Sequence, residues 1–422
     1  MAFKFQPFSK KQLKVLTWWI DGSPKADYDG IIATGSIRSG KSASMSLSYV
    51  IWAMERFSGR NFGMAGKTIS ALRRNVINDL KVMLDGRGYK VTEKRSENLL
   101  VVSRGHKTNY FYIFGGTDEG SQDLVQGITL AGFYFDEVAL MPESFVNQAT
   151  GRCSVEGSRL WFNCNPGNPK HWFKERWIDE AEEKRLLVLQ FTMVDNLSLS
   201  RRTIERYERM YSGVFYDRYI LGLWTLAEGL VYDVFDHEKH VTDEPLEDYS
   251  RRYIGIDYGT QNPTVFLDVK VGSSMVQVDR EYYYSGRESR RQKTDAEFAD
   301  DLQVFMADNS YNGVVVDPSA ASFIAECRKR GISCIKAKND VLDGIRMTAR
   351  WIGADRLLIN ADCKHTIAEF GAYKWDIKAA DRGEDKPVKE DDHTMDALRY
   401  VIFTVLDGAR PRTLRKGALG LR

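Results

Sequence analysis

The apolar positions of this chain fall into short runs of strand length, separated by stretches with helical spacing. Gln12 to Trp19 has the helical spacing and stops before the turn-rich Asp21-Gly22-Ser23-Pro24. The run Ile31-Ile32-Ala33 predicts a strand, and Met45, Leu47, Tyr49, Val50 and Ile51 predict the helix after it. Asn61 to Gly66 reads as a second strand, Ile69 to Leu84 as a helix, and Val91 to Val102 and Asn109 to Phe114 as additions to the sheet. Ile128 to Phe135 and Leu160 to Phe162 follow as further apolar strands, and Tyr207 to Trp224 as an aromatic-rich helix. Such alternation predicts an α/β fold with a mostly parallel sheet covered on both faces.

After an acidic, polar region the pattern changes. Tyr253 to Ile256 and Thr264 to Val269 predict a hairpin or meander, and Val314 to Val316 a buried strand of the parallel type. Asp391 to Ile402 has an acidic start and then helical periodicity, which puts His393 and Asp396 on one helix face. The reading divides the chain into a domain over 1–226, a linker over 227–248, a second domain over 249–408 and a basic tail over 409–422.

Length supports that division, because 422 residues exceed what one ordinary core serves. Charge adds little: 60 Lys and Arg against 58 Asp and Glu leave a formal net charge of +2, a near-neutral total that can still hide a basic channel opposite acidic metal sites. Five scattered cysteines lack the paired spacing of a zinc or redox motif and read as reduced thiols. The start of the chain has no apolar leader core, and no run is long enough to cross a bilayer, so a cytoplasmic protein without a membrane partner is expected.

Candidate chemistry begins at Gly35-Ser36-Ile37-Arg38-Ser39-Gly40-Lys41-Ser42, a Walker A pattern set between strand and helix. There the backbone N–H groups of a glycine-rich turn face phosphate oxygens, Lys41 neutralises the terminal phosphates and the Ser42 hydroxyl reaches Mg²⁺. Phe133-Tyr134-Phe135-Asp136-Glu137 supplies the matching strand with two terminal acids. Asp136 is the candidate to support the magnesium, and Glu137 to deprotonate the attacking water. Arg38 brings a guanidinium next to the phosphates, as an arginine finger in cis would. Arg152 is a weaker finger candidate. Asn163-Cys164-Asn165-Pro166 reads equally as a γ-phosphate sensor or as a plain Asn-Pro turn. Gln12, upstream of the loop, has the paired donor and acceptor that an adenine edge requires.

In the second half, Asp257, Asp317 and Asp396 end strands or begin a helix, and His393 stands beside the last of them. Taken singly each acid reads as a cap or a surface charge. Together, on a meander, a strand and a helix, they suit two divalent ions, Mg²⁺ or Mn²⁺, in phosphodiester hydrolysis, and the arrangement resembles ribonuclease H-like nucleases.

With both halves read, the chain resembles the large terminase subunits of tailed double-stranded DNA phages. The resemblance rests on Gly35 to Ser42, Phe133 to Glu137, Asn163 to Pro166, Gly222 to Asp236, Gly255 to Thr260, Val315 to Pro318 and Asp391 to Tyr400. It implies an additional-strand P-loop ATPase followed by a ribonuclease H-like nuclease. It further implies that Gln12 contacts adenine, that Asn163 to Pro166 couples hydrolysis to movement, and that Asp257, Asp317 and Asp396 bind the nuclease metals. ATP, double-stranded DNA, a portal protein, a small terminase subunit and further copies of the chain in a ring are the implied ligands and partners. Host cytoplasm, and absence from the mature virion, is the implied location. Arg201-Arg202, Arg251-Arg252 and Arg290-Arg291 are candidate phosphate contacts. The alternative is an ATP-dependent translocase or helicase whose second domain binds or docks without cutting.

Overall fold

The computed structural model describes residues 7–259, 262–307 and 309–406; the basic tail and Thr260 lie outside the described residues. The chain divides into two compact units. One comprises the chain up to Glu208 with Gly213–Ala227 and Lys378–Glu384; the other comprises Arg209–Ser212, Glu228–Ile377 and the chain from Asp385 on.

The first unit carries α1 (Lys10–Thr17), β1 (Gly30–Gly35), α2 (Lys41–Arg56), β2 (Asn61–Gly66), β3 (Lys90–Lys94), β4 (Leu99–Arg104), β5 (Lys107–Gly115), β6 (Gly132–Asp136), β7 (Arg159–Cys164) and β8 (Leu186–Phe191). Its sheet has the order β3-β4-β5-β2-β6-β7-β1-β8. Only β3, β4 and β5 pair antiparallel; the rest of the sheet is parallel. The parallel strands β1 and β6 are buried at every position, as the apolar runs require. Their side chains alternate between two aromatic layers. Trp52 and Trp161, with ring centroids 4.7 Å apart, and Tyr49 pack on one face, while Phe135 stacks 4.3 Å from Phe133 and 5.0 Å from Phe162 on the other.

Two sequence expectations differ here. The helix expected over 69–84 contains a wide turn at Arg73–Ile77. The helix expected over 207–224 is absent as a unit: Gly213 has φ +50° and Gly222 φ +74°, backbone conformations that interrupt a right-handed helix, and only Gly213–Tyr216 and a wide turn at Asp217–Leu221 coil between them.

The second unit carries β9 (Val241–Thr242), β10 (Arg251–Asp257), β11 (Thr264–Val271), β12 (Val276–Tyr284), α3 (Asp295–Met306), β13 (Gly313–Val316), α4 (Ala321–Lys329), β14 (Cys334–Lys336), α5 (Val341–Gly353), β15 (Leu357–Asn360), α6 (Lys364–Ala372) and α7 (His393–Leu406). Its sheet order is β14-β13-β10-β11-β12-β15-β9. An antiparallel meander β10-β11-β12 with β13 and β14 added parallel beside β10 is the ribonuclease H-like order. The stretch 227–248, read from sequence as a linker, belongs to this unit from Glu228 onward. It supplies β9, which pairs with β15, and buried His240.

A buried charge network crosses the meander. Asp268, fully buried, accepts hydrogen bonds from Arg252 Nε (2.8 Å) and Nη2 (2.7 Å), Arg280 Nη2 (2.8 Å) and the Tyr311 hydroxyl (2.8 Å). Arg252, read above as a candidate DNA contact, is therefore a structural residue. No helix among the described residues is long and apolar enough to cross a membrane.

Candidate functional site

The first cluster lies at the C-terminal ends of β1, β6 and β7. Parallel register sets Ala33 opposite Asn163 and Asp136 opposite Asn163, so one strand separates the Walker A strand from the Walker B strand. Gly35, at φ +136°, leaves no room for a side chain: a β-carbon would lie 2.0 Å from the Phe191 carbonyl oxygen. Gly40 begins α2 in the left-handed region at φ +82°. Between them the loop folds around Lys41, whose ammonium donates to the carbonyls of Gly35 (2.9 Å) and Ser36 (2.6 Å) and to Asn165 Oδ1 (3.1 Å). Burial among these neutral acceptors pushes the Lys41 pKa down to about 8, against the pull of Cys164, Asp136 and Glu137.

One amide bridges the two Walker motifs. Asn163 Nδ2 donates to Ser42 Oγ (2.7 Å) and to Asp136 Oδ1 (2.6 Å), which also accepts the Tyr134 hydroxyl (2.7 Å). Burial raises the Asp136 carboxyl above its ordinary value, and these donors with Lys41 oppose the rise. Both asparagines of the 163–166 segment thus touch the loop. Glu137 takes a left-handed backbone, φ +57°, where β6 ends. Arg38 is exposed at φ +57°, with its carbonyl held by Asn196 Nδ2 (2.7 Å). Gln12 is buried beside the loop: its carboxamide nitrogen would lie 2.4 Å from a β-carbon at Gly40. Its oxygen accepts the Ser9 N–H (2.9 Å) in the capping box of α1, so only the donor end faces the loop. Arg152 ends the helix Glu143–Gly151 as its C-cap, its N–H donating to the Ala149 carbonyl, and among the described residues no hydrogen bond or ion pair joins it to the residues above.

The second cluster lies where β10 and β13 end. Gly255 permits it, because a β-carbon there would meet the Ala397 carbonyl at 2.4 Å and push α7 off β10. With α7 seated, His393 Nδ1 lies 2.9 Å from Asp257 Oδ2. Burial works against a charged His393, yet the hydrogen bond and charge of Asp257, with Asp392 and Glu369, hold the imidazole above its ordinary value. Asp257 is itself raised by burial and by Asp396 and Asp392. Asp396 accepts Arg399 Nη2 (2.8 Å) and lies 3.3 Å from Lys389 Nζ. Asp317 accepts the Ser319 N–H (2.7 Å) and the Tyr400 hydroxyl (3.0 Å). Although burial acts upward on Asp317, those donors hold its carboxyl below the usual value. Tyr400 is the common neighbour: burial raises its phenol, and the charges of Asp396, Asp257 and Asp317 add to the rise.

The acids therefore gather around one phenol. No group of three or more His, Cys, Asp or Glu side chains among the described residues is placed to share a single ion. Tyr134, Tyr400, Arg399 and Lys389 escaped the sequence reading. Arg399 and Tyr400, three and four residues after Asp396, share its helix face, a spacing that was available in the sequence.

Comparison with known proteins gives consistent matches. The family model described as terminase large subunit, T4likevirus-type, N-terminal, matches residues 32–239. The large terminase of a thermophilic bacteriophage is 60% identical with a TM-score of 0.92, over 95% of this chain and 100% of that one. A structure of that same phage protein in complex with ADP gives 59% and 0.89 over the same shares. The large terminase subunit of Escherichia phage T5 is 26% identical over 296 residues, and the match spans 65% of this chain and 65% of that protein's length.

Proposed function

The chain belongs to the bacteriophage large terminase subunits, and on that premise we propose that it is the ATP-driven motor that packages double-stranded DNA through the portal into a prohead and cuts the concatemer before and after. The observation that carries the motor reading is the bridge from Ser42 through Asn163 to Asp136, with Lys41 held by Asn165 alongside.

The residues suit a magnesium nucleotide. Ser36 Oγ and Asn163 Oδ1 are buried beside Lys41 and Ser42 without hydrogen-bond partners among the described residues, which leaves a polar surface in need of one. Gly35 to Ser42 would hold the phosphates, Ser42 and Asp136 the metal, and the Gln12 Nε2 donor, the end left free by the capping box, the base. Magnesium supplies charge neutralisation at the phosphates. Glu137, aimed by its left-handed backbone, takes the proton of the attacking water. Arg38 stabilises charge on the transferred phosphoryl group. Asn163 contacts both Walker motifs, so a change at either reaches the other through one side chain.

The second unit's donors are hard carboxylate oxygens, the chemistry Mg²⁺ or Mn²⁺ prefers. Asp392 Oδ2, buried, ion-paired with Lys389 and without a well-aligned hydrogen-bond donor among the described residues, adds acceptor capacity at the same place. Asp257, Asp317 and Asp396 would hold two ions, which supply water activation and stabilise the leaving oxygen. His393 orients Asp257, and Tyr400 orients Asp317.

Plasmid cleavage and ATP turnover by the full chain test both halves. Glu137→Ala should abolish turnover and retain Mn²⁺-dependent nicking, while Asp257→Ala/Asp317→Ala should do the reverse. Loss of both activities in either variant would overturn this division of labour. The absence of a three-ligand cluster among the described residues favours one second reading, a translocase whose second unit binds DNA without cutting; intact ATPase with no nicking in either metal would select it.

A further inference from the structure

The segment 286–293, which joins β12 to α3, has no part in the sites above. Its position is set by the sheet. Because β11 runs antiparallel to both β10 and β12, β12 ends at the sheet edge where β10 ends in Asp257. Asp257 pairs with Val265 and Val265 with Tyr283, so two strand spacings, about 10 Å, separate the backbones of Tyr283 and Asp257. Directly paired residues share a face, which puts the Tyr283 ring on the Asp257 side of the sheet. Burial raises the Tyr283 phenol to about 12, with Glu369, Glu288 of the segment and Asp391 of the acidic cluster adding to the rise.

The segment is also preorganised. Ser289 N donates to the Ser285 carbonyl (2.9 Å) and Arg291 N to the Gly286 carbonyl (3.1 Å), closing a turn in which Arg290 sits at φ +51°. The Tyr284 hydroxyl donates to the Arg291 carbonyl (2.7 Å), and Lys293 Nζ lies 4.4 Å from the Tyr284 ring centroid. The segment carries four basic residues against one acid. Arg291 pairs with Glu297 and Lys293 with Asp301. Arg287 and Arg290 are exposed and have no ion-pair partner among the described residues.

We propose that segment 286–293 seats the phosphate backbone of duplex DNA beside the acidic cluster, with Arg287 and Arg290 each taking one phosphate. The proposal rests on the reading of the second unit as the DNA-handling unit. A fixed turn presents both guanidiniums without an ordering cost to the backbone. The segment starts three residues beyond Tyr283, whose backbone lies about 10 Å from that of Asp257, so the contacted phosphates fall at the end of the sheet where the acidic cluster lies. Contacts of this kind position the duplex without reading its sequence.

The test is fluorescence anisotropy of a labelled duplex with the full chain in EDTA, over a series of salt concentrations. Arg287→Ala/Arg290→Ala should weaken binding and make the slope of log K against log salt shallower by about 1.8, at about 0.9 for each lost phosphate contact. Arg328→Ala/Lys329→Ala removes the same charge from the end of α4, at the opposite edge of the same sheet, and should leave the slope unchanged. An unaltered slope in the Arg287/Arg290 variant, or an equal change in both variants, would overturn the proposal while leaving DNA as substrate. No duplex binding by the unaltered chain would overturn the DNA reading itself, and the proposal with it.

Discussion

Lys41 gives the sharpest quantitative expectation. Its pKa falls from 10.5 to about 8 in the free site, which disfavours the charged form by about 3 kcal/mol. The backbone carbonyls of Gly35 and Ser36 that receive its protons are neutral and do not offset that cost. A bound nucleotide brings negative phosphate oxygens to the ammonium and restores the charged form, so binding must take up a proton whenever the free lysine is partly neutral. From a free pKa of about 8, uptake is about a tenth of a proton at pH 7, half at pH 8 and nine-tenths at pH 9. Titration calorimetry with magnesium ATP-γ-S, in pairs of buffers with different ionisation enthalpies, reads this number directly. Protonation of the nucleotide's own phosphate would decline over the same range, so the rise with pH is diagnostic. Lys41→Arg keeps a cation that does not titrate there and should remove the uptake. Buffer-independent enthalpies at pH 8 and 9, or an uptake unchanged in Lys41→Arg, would refute the account of a desolvated, partly neutral lysine.

Tyr134→Phe removes a buried donor from Asp136 at almost constant volume. Magnesium-nucleotide affinity should fall by about 1.5–3 kcal/mol, the worth of a hydrogen bond to a charged group. Because the lost donor opposed an already raised carboxyl, the acid limb of kcat/KM should move to higher pH; an unmoved limb would count against the assignment. Asp268→Asn leaves two guanidiniums short of their shared carboxylate and should destabilise the second unit by about 3–5 kcal/mol in urea unfolding, with ATP turnover retained. Glu369, which accepts the Thr394 N–H (2.7 Å) and hydroxyl (2.6 Å) at the start of α7, is raised above 4.5 by burial. Stability from its raised pKa is complete below 4.5 and lost as pH rises through the folded value. The Tm of Glu369→Gln should therefore gain on the unaltered chain as pH rises above 4.5, as scanning calorimetry would show.

The chemistry-bearing residues were legible because they occupy the ends of periodic elements. Asp136 closes an apolar strand, Asp257 another, and Asp396 begins a helix, so pattern alone located their backbones. What escaped depends on contacts between elements. Tyr134 looked like one more aromatic in a strand, although its hydroxyl reaches the carboxylate of Asp136 two residues on. Arg252 looked like half of an exposed pair until β11 placed Asp268 beside it. The helix expected over 207–224 failed at two glycines in left-handed conformations, and the surroundings demand glycine at the second: a β-carbon at Gly222 would come within 3.0 Å of the phosphate-binding loop's own backbone. The capping role of Gln12 had a signature, Ser9 three residues upstream, that the adenine reading had passed over.

The two-residue strand β9 has a consequence for anyone dividing this chain. A fragment begun at Tyr249 would discard β9 and uncover the outer edge of β15, a row of unpaired amides and carbonyls ready to recruit a second molecule. It would also strip buried Gln277 of both its partners, the Leu246 N–H and the Glu244 carbonyl, and remove His240 from its contact with the Ile352 carbonyl. A fragment begun at Glu228 keeps all of these. Self-association or insolubility of the shorter piece would thus report a torn sheet margin and carry no information about its chemistry.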